Sequence, residues 1–340
     1  MLDPKPFHYT LFGLVLHSNH AIPNLTASES RSKPQVELTL GAIPPPLRAL
    51  TESPAEVCYV SPSSTGTPNL RVSKFADGQY FHFLYCDGAE FLVDCRGAAI
   101  WASWPRDTLT LEDTVVYLLG PIMGFVLLLR GSISLHASAI TVDHKAIALV
   151  GPAGSGKSTT AAAFADLGYG VLAEDVVTLE DCEATFKVQP AYPCIRLWPP
   201  SVAALYGPQA QLPRLTPTWD KCYLDVSQAP YEFQKEPVPL AAIYLLRERS
   251  DNPGTPLIED IKPADALLSL VSNTYTNYLM DKVMHARGFE LLGRVVGSVA
   301  LRQVTPHANA AYLGRLCDAI IEDFNNRERL MPVGGRELSE

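Results

Sequence analysis

The chain is poor in the features that mark several functional classes. It has no surplus of basic charge, since 27 Lys and Arg stand against 36 Asp and Glu for a formal net charge of −9. Nucleic-acid binding asks for a basic face that neutralises phosphates, so this composition argues against it. The seven cysteines are odd in number and scattered, with no C-x-x-C pair. That speaks against a disulfide frame or a zinc site and for reduced thiols in the cytoplasm. The first residues show no basic segment followed by an apolar core, so no secretory signal is read. A bilayer span needs about 20 apolar residues. The most apolar stretch, residues 115–129, is shorter and is interrupted at Gly120-Pro121. It is expected to be a buried helix and not a membrane anchor. No internal repeat is visible.

A chain of 340 residues is long enough for two domains. Residues 1–110 are expected to form a mostly β module, because short β-prone runs alternate with Pro, Gly, Ser and Asn clusters. The runs are 9–17, 36–40, 57–60, 70–72, 80–85 and 90–94, with Pro breakers at 43–47 and a hairpin turn at 86–89. His17, His20 and His82 lie in this module without metal-ligand spacing or a carboxylate partner close by in sequence. From 111 to 326 strands alternate with helices, which predicts an α/β core with helices on its faces. Within it a helix is expected over 264–287 and another over 309–324; residues 327–340 read as a flexible tail.

The most informative stretch is Gly151-Pro152-Ala153-Gly154-Ser155-Gly156-Lys157-Ser158-Thr159, preceded by the apolar run 146–150 and followed by an Ala-rich helix. The spacing G-x-x-x-x-G-K-S between a strand and a helix is that of the phosphate-binding P-loop. Gly151, Gly154 and Gly156 permit positive φ and let backbone N–H groups close around phosphate oxygens without a Cβ in the way. The start of the helix adds its positive end. Lys157 is placed to reach the β- and γ-phosphates, and Ser158 to ligate Mg²⁺. The chain is therefore expected to bind ATP with Mg²⁺.

Phosphoryl transfer also asks for a group that orients or deprotonates the acceptor. Glu174 and Asp175 end an apolar run one helix after the glycine-rich turn, which is expected to return the chain beside the 146–150 strand. Successive strand residues point to opposite faces, so only one of the two acids is expected to face the site. Asp175 is the candidate base, with a metal-holding role as the alternative. His136, on the strand before, is the candidate that raises or orients the basicity of that acid. Arg196 is the candidate cation for the transferring phosphoryl group and Lys221 a weaker one. The polar cluster 273–277 can line an acceptor pocket.

The segments Leu135-His136-Ala137-Ser138, 151–159 and Gly170-Val171-Leu172-Ala173-Glu174-Asp175 together resemble the catalytic domain of HPr kinase/phosphorylase. The chain is more similar to the smaller HPr-kinase-like serine kinases, some encoded with peptide-tailoring pathways such as lasso-peptide biosynthesis. Residues 9–25 and 191–199 also look like that branch. The resemblance implies a PEP-carboxykinase-like nucleotide-binding core and self-association into oligomers. It makes Asp175 the proton acceptor, His136 the catalytic histidine, Lys157 the phosphate-binding lysine, and Ser158 a Mg²⁺ ligand shared with Asp175. Glu174 stands where the bifunctional enzymes have Asp. Their Glu-Ile-Arg-Gly-x-Gly and Pro-Gly-Arg segments have no counterpart here, which points to a plain kinase without phosphorylase activity.

The expected function is an ATP-dependent serine kinase acting on a peptide or small protein, for example a ribosomal peptide precursor. Two alternatives stay open: a kinase of a free serine-like metabolite, favoured by a closed pocket, and a nucleotide-gated binding module in which His136 packs away from the turn.

Overall fold

Alternating apolar and polar residues between tight turns build the first part of the chain. The computed structural model describes residues 6–28, 32–63 and 66–330. An eight-stranded sheet holds β1 (Phe7–Leu11), β2 (Leu14–Ser18), β3 (Val36–Leu40), β4 (Glu56–Val60), β5 (Leu70–Phe75), β6 (Tyr80–Tyr85), β7 (Glu90–Asp94) and β8 (Ala99–Ser103), in the order β1-β2-β3-β8-β7-β6-β5-β4. The run 9–17 is a hairpin and not one strand. Phe12 and Gly13 both take positive φ (57° and 76°), as a two-residue turn between right-twisted strands requires. Phe12 is buried in the core, so an apolar residue hides the turn from a sequence reading. The Pro-rich segment does not only break structure: α1 (Pro45–Thr51) begins on proline, where a missing N–H costs nothing. Strand β8 was not announced by the sequence, because Ile100 and Trp101 are its only strand-favouring residues and stand among Ala and Ser.

Two of the histidines, His17 and His82, do have carboxylate partners, supplied across strands. His17 Nδ1 lies 2.5 Å from Glu37 Oε2, and His82 Nε2 lies 3.0 Å from Glu90 Oε2. Arg48 Nη1 donates to the same Glu90 oxygen at 2.7 Å. Burial pushes the Glu90 carboxyl up, but His82 and Arg48 outweigh it and hold the group down at about 2.

The apolar stretch then forms α2 (Leu111–Tyr117), one π turn (Leu118–Ile122) and α3 (Met123–Leu129). Thr110 and Asp113 close its start as a reciprocal capping box. Counted from Leu111, the helical run is 19 residues and long and apolar enough to cross a membrane, so length alone does not exclude a span. Its packing speaks otherwise. Of that window 72 % is buried within the protein, and Gly120 breaks the helix with φ −98°, ψ −106°.

The second sheet starts with the hairpin β9 (Ile133–Val142) and β10 (Lys145–Val150), joined by Asp143 and His144 at positive φ. Next come α4 (Lys157–Asp166), β11 (Gly170–Cys182), β12 (Thr185–Val188), β13 (Cys194–Leu197), α5 (Pro199–Tyr206), β14 (Cys222–Asp225), β15 (Val238–Leu246), β16 (Leu257–Asp260), α6 (Pro263–Ser272), α7 (Lys282–Ser298), β17 (Ala300–Thr305) and α8 (Leu313–Leu330). The seven-stranded order is β10-β9-β11-β12-β15-β17-β16, and β10 also pairs in parallel with β15, so five strands close into a ring. β13 and β14 form a separate ribbon. The fold is mixed α/β. β11 runs antiparallel to β9 and not beside β10, so one strand intervenes between the acids and the turn. The helix expected over 264–287 stops at Ser272, and a loop precedes α7. Residues 327–330 of the expected tail are helical, and 331–340 lie outside the described residues.

Period-two alternation splits β10 between two cores. Ala146, Ala148 and Val150 join the core shared with the first sheet and with α2–α3, while Ile147 and Leu149 face the core under α4 and α8. Helix α4 is apolar nearly all round because its alanines let neighbours approach from several sides.

Close approach at Gly124 is what lets α3 and the loop after α6 meet. A Cβ there would lie 2.5 Å from Tyr275 Cδ1. Gly124→Ala is therefore expected to destabilise the protein by about 1–3 kcal/mol through overpacking. Urea unfolding checks this; an unchanged midpoint would show that the contact yields freely.

Candidate active site

A strand, a glycine-rich turn and a helix stand in the expected register: β10 ends at Val150, the turn covers 151–156, and α4 begins at Lys157. Gly154 and Gly156 take positive φ (81° and 103°). Gly151 does not. Its need is space, since a Cβ would meet Ser155 Oγ at 2.8 Å and the Leu246 carbonyl at 2.9 Å. No side chain caps α4. The first N–H groups of a helix have no intrahelical acceptor, so an uncapped start leaves donors for an anion.

Lys157 folds back on the turn. Its Nζ donates to Gly151 O at 2.7 Å and to Pro152 O at 3.0 Å. Burial pushes the ammonium down to about 8, against the pull of Asp175 and Glu174, and Lys221 adds to the depression. Lys221 itself lies over the Trp198 ring, 5.5 Å from its centroid.

The two acids do not point to opposite sides as simple alternation predicts. β11 carries a bulge between Val171 and Ala173, and Asp175 takes the left-handed conformation at φ 68°. Asp tolerates that region better than most residues. The result is that one cation meets both carboxylates. Arg196 Nε donates to Glu174 Oε2 at 3.0 Å, and its Nη2 lies 2.6 Å from Asp175 Oδ2. That Nη2 has no well-aligned hydrogen-bond acceptor. Arg196 is 6 % exposed and Glu174 2 %, with Asp175 at 19 % on the open side, so the arginine is buried and not at the surface.

Ser158 and His136 lengthen the triad at its two ends. Ser158 Oγ donates to Glu174 Oε1 at 2.7 Å. His136 Nε2 lies 3.4 Å from Asp175 Oδ1. Tyr275, which the sequence reading held only within a polar cluster, donates its hydroxyl to Asp175 Oδ2 at 2.7 Å. Burial raises the Asp175 carboxyl, but Arg196, then His136 and Tyr275, overcome this and hold it well below the usual carboxylate range. His136 therefore lowers the basicity of the acid and does not raise it.

His136 opens into a cleft of about 290 Å³ bounded by Pro121 and residues 272–278. The π turn places Pro121 at its edge, an irregularity of the kind that recurs at functional sites. Tyr278 on the rim packs on Tyr59 of β4, with ring centroids 4.3 Å apart. The cleft thus borders the first sheet.

Among the described residues no three His, Cys, Asp or Glu side chains cluster as a metal site. The Ser158–Glu174 oxygen pair still fits Mg²⁺. That ion takes one or two protein oxygens and completes its octahedron with waters and substrate phosphates.

The electrostatics predict a pH signature. Folding stabilises the Asp175 carboxylate, so its contribution is complete above the ordinary value near pH 4 and is lost as pH falls below that. The stability gap between wild type and Asp175→Asn is therefore expected to be widest at neutral pH and to narrow by about 1 kcal/mol by pH 3, about one pH unit below the ordinary value. Denaturant titrations at pH 7 and pH 3 measure it; a constant gap would contradict the assigned ion pair.

No family model matches the chain, and the curated proteins include no match either. Among solved structures it is similar to the Hpr(Ser) kinase/phosphatase from Coxiella burnetii, at 14 % identity over 58 % of this chain and 98 % of that one, with a TM-score of 0.32. Likeness at this level does not establish a family.

Proposed function

We propose that the chain is an ATP-dependent serine kinase whose 151–159 turn is a P-loop and whose acceptor is a serine of a peptide or small protein. The observation that carries this reading is the unbroken line Ser158–Glu174–Arg196–Asp175–His136. It runs from an uncapped helix start to an open cleft. The turn and the first N–H groups of α4 bind the phosphates, and Lys157 exchanges its two carbonyl partners for phosphate oxygens. Ser158 and Glu174 hold Mg²⁺, which neutralises charge on the phosphates when bound.

Asp175 receives the acceptor proton. The serine oxygen bonds to the γ-phosphorus, the bond from that phosphorus to the bridging oxygen breaks, and ADP leaves with the electron pair. A weak base suffices for this step, since phosphoryl transfer passes through a loose transition state in which positioning outweighs proton abstraction. His136 and Tyr275 fix the direction of the Asp175 carboxylate. Arg196 Nη2 meets Asp175 Oδ2 at 2.6 Å without good alignment, and it is the donor that would turn to the transferring group. The open cleft bordered by β4 favours a polypeptide acceptor over a free metabolite.

Lys157→Ala is expected to abolish transfer by removing stabilisation of the γ-phosphate. Asp175→Asn is expected to keep binding and to lose transfer at least a hundredfold, within the ~10²–10⁴ a positioned base supplies. Incubation with γ-labelled ATP and short serine-containing peptides, read by mass spectrometry, tests both. An Asp175→Asn protein that transfers at the wild-type rate would overturn the base assignment.

A second expectation concerns protons. Bound phosphates favour the charged ammonium and raise Lys157 from its depressed value of about 8. ATP binding is thus expected to take up a proton between pH 8 and 9, and calorimetry in buffers of different ionisation enthalpy measures it. Uptake that persists in Lys157→Arg would assign the proton elsewhere.

A further inference from the structure

A second cavity lies beside the turn, away from the acids. It measures about 190 Å³ and touches the turn and α4 at Gly156, Thr159 and Thr160. Pro200 and Ala204 of α5 form one wall, Leu313 and Leu316 of α8 another. A phosphate chain lying over the start of α4 has two ends. One points along the line that leads from Ser158 to His136, and the other reaches this cavity.

Its walls have the chemistry of a ring-binding pocket. His307 and Tyr312 stack with centroids 3.8 Å apart and planes at 7°, forming a flat aromatic slab. The imidazole is fixed, because His307 Nδ1 accepts the Asn309 backbone N–H at 2.9 Å. In the neutral ring Nε2 then carries the proton and is a donor. Arg315 packs over the same tyrosine, 4.9 Å from the ring centroid, and stiffens the stack. The opposite wall is aliphatic, with a Thr159–Ser201 hydroxyl pair at its floor (2.9 Å). A planar heteroaromatic ring gains most from one aromatic face and one aliphatic face, with a few polar groups at its edge.

Arg249 joins the cavity to the turn. Its guanidinium nitrogen lies 2.9 Å from where a Cβ on Gly156 would be, so the absence of a side chain at 156 is what lets this cation reach the turn. It also lines the cavity. A guanidinium placed between a phosphate cradle and a ring pocket matches the phosphate next to the sugar of a nucleotide.

We propose that this cavity seats the base and sugar of a nucleoside triphosphate, with the base on the His307–Tyr312 stack and Arg249 on the sugar-proximal phosphate. The assignment rests on the reading of the turn as a triphosphate cradle. It gives the base a side of α4 different from that of the acceptor.

The test compares Mg²⁺-ATP with Mg²⁺-tripolyphosphate, which carries the phosphates without base or sugar, by titration calorimetry on the full chain. Wild type is expected to bind ATP at least tenfold more tightly than tripolyphosphate. His307→Ala and Tyr312→Ala are expected to weaken ATP by about five- to a hundredfold, the range given by loss of a base–aromatic stack, with tripolyphosphate unchanged within twofold. Ala204→Trp, at an exposed position of α5, fills the cavity and is expected to produce the same split without touching the stack. ATP and tripolyphosphate binding equally in wild type, or ATP affinity unmoved in all three variants, overturns the base site and leaves the phosphate cradle standing. Failure of wild type to bind either ligand removes the cradle and the base site together.

Discussion

Arg196 is held away from water between two carboxylates, and much of the molecule serves that placement. Removing three charges from solvent is costly, and only good geometry with further hydrogen bonds offsets the loss. The protein supplies both. Glu174 receives Arg196 on one oxygen and Ser158 on the other, while Asp175 is also approached by His136 and Tyr275. With Lys157 beside them, two acids face two cations, and the cluster is close to neutral. Breaking such a pair leaves an uncompensated buried charge, which costs about 3–5 kcal/mol. The same balance makes the site responsive to a strongly anionic ligand, because added negative charge draws on cations already committed to Glu174 and Asp175.

Backbone irregularities are concentrated around this cluster. The bulge in β11, the left-handed Asp175 and the π turn of 118–122 all lie within one region. Residues in sparsely populated conformations persist only where their surroundings over-determine them. Here the surroundings are identifiable. A Cβ on Gly120 would lie 3.1 Å from the Tyr275 hydroxyl and 3.7 Å from Asp175 Oδ2, so the helix break makes the room that the tyrosine and the acid occupy.

This geometry sets how far the sequence could be read. The strand, the turn and α4 were legible because glycine spacing and an apolar run encode them locally. Glu174, Asp175, His136 and Arg196 were legible as candidates, but their arrangement was not. Period-two logic separated the acids, and a single positive φ at Asp175 brought them together. Neighbourhood was misjudged as well, since the α4 crossover from β10 carries β11 past that strand to pair with β9, which spacing does not disclose. Tyr275 carried a faint signal, a polar run cutting an amphipathic helix pattern, but nothing local ties it to an acid a hundred positions earlier.

The first sheet is bound into the chemistry by its core and not by a linker. Leu16, Val72 and Phe83 from that sheet, Phe125 from α3, and Leu135 and Val176 from the second sheet belong to one continuous apolar cluster. Sliding the two sheets apart would expose residues buried on both, so β4 and Tyr59 stay fixed relative to the cleft at His136. On the proposed kinase reading, a rigid strand edge beside the cleft would restrict how a polypeptide acceptor lies there. The distance from that edge to Asp175 would then decide which position along such an acceptor meets the carboxylate. Acceptor register would in that case be a property of the packing between the two sheets.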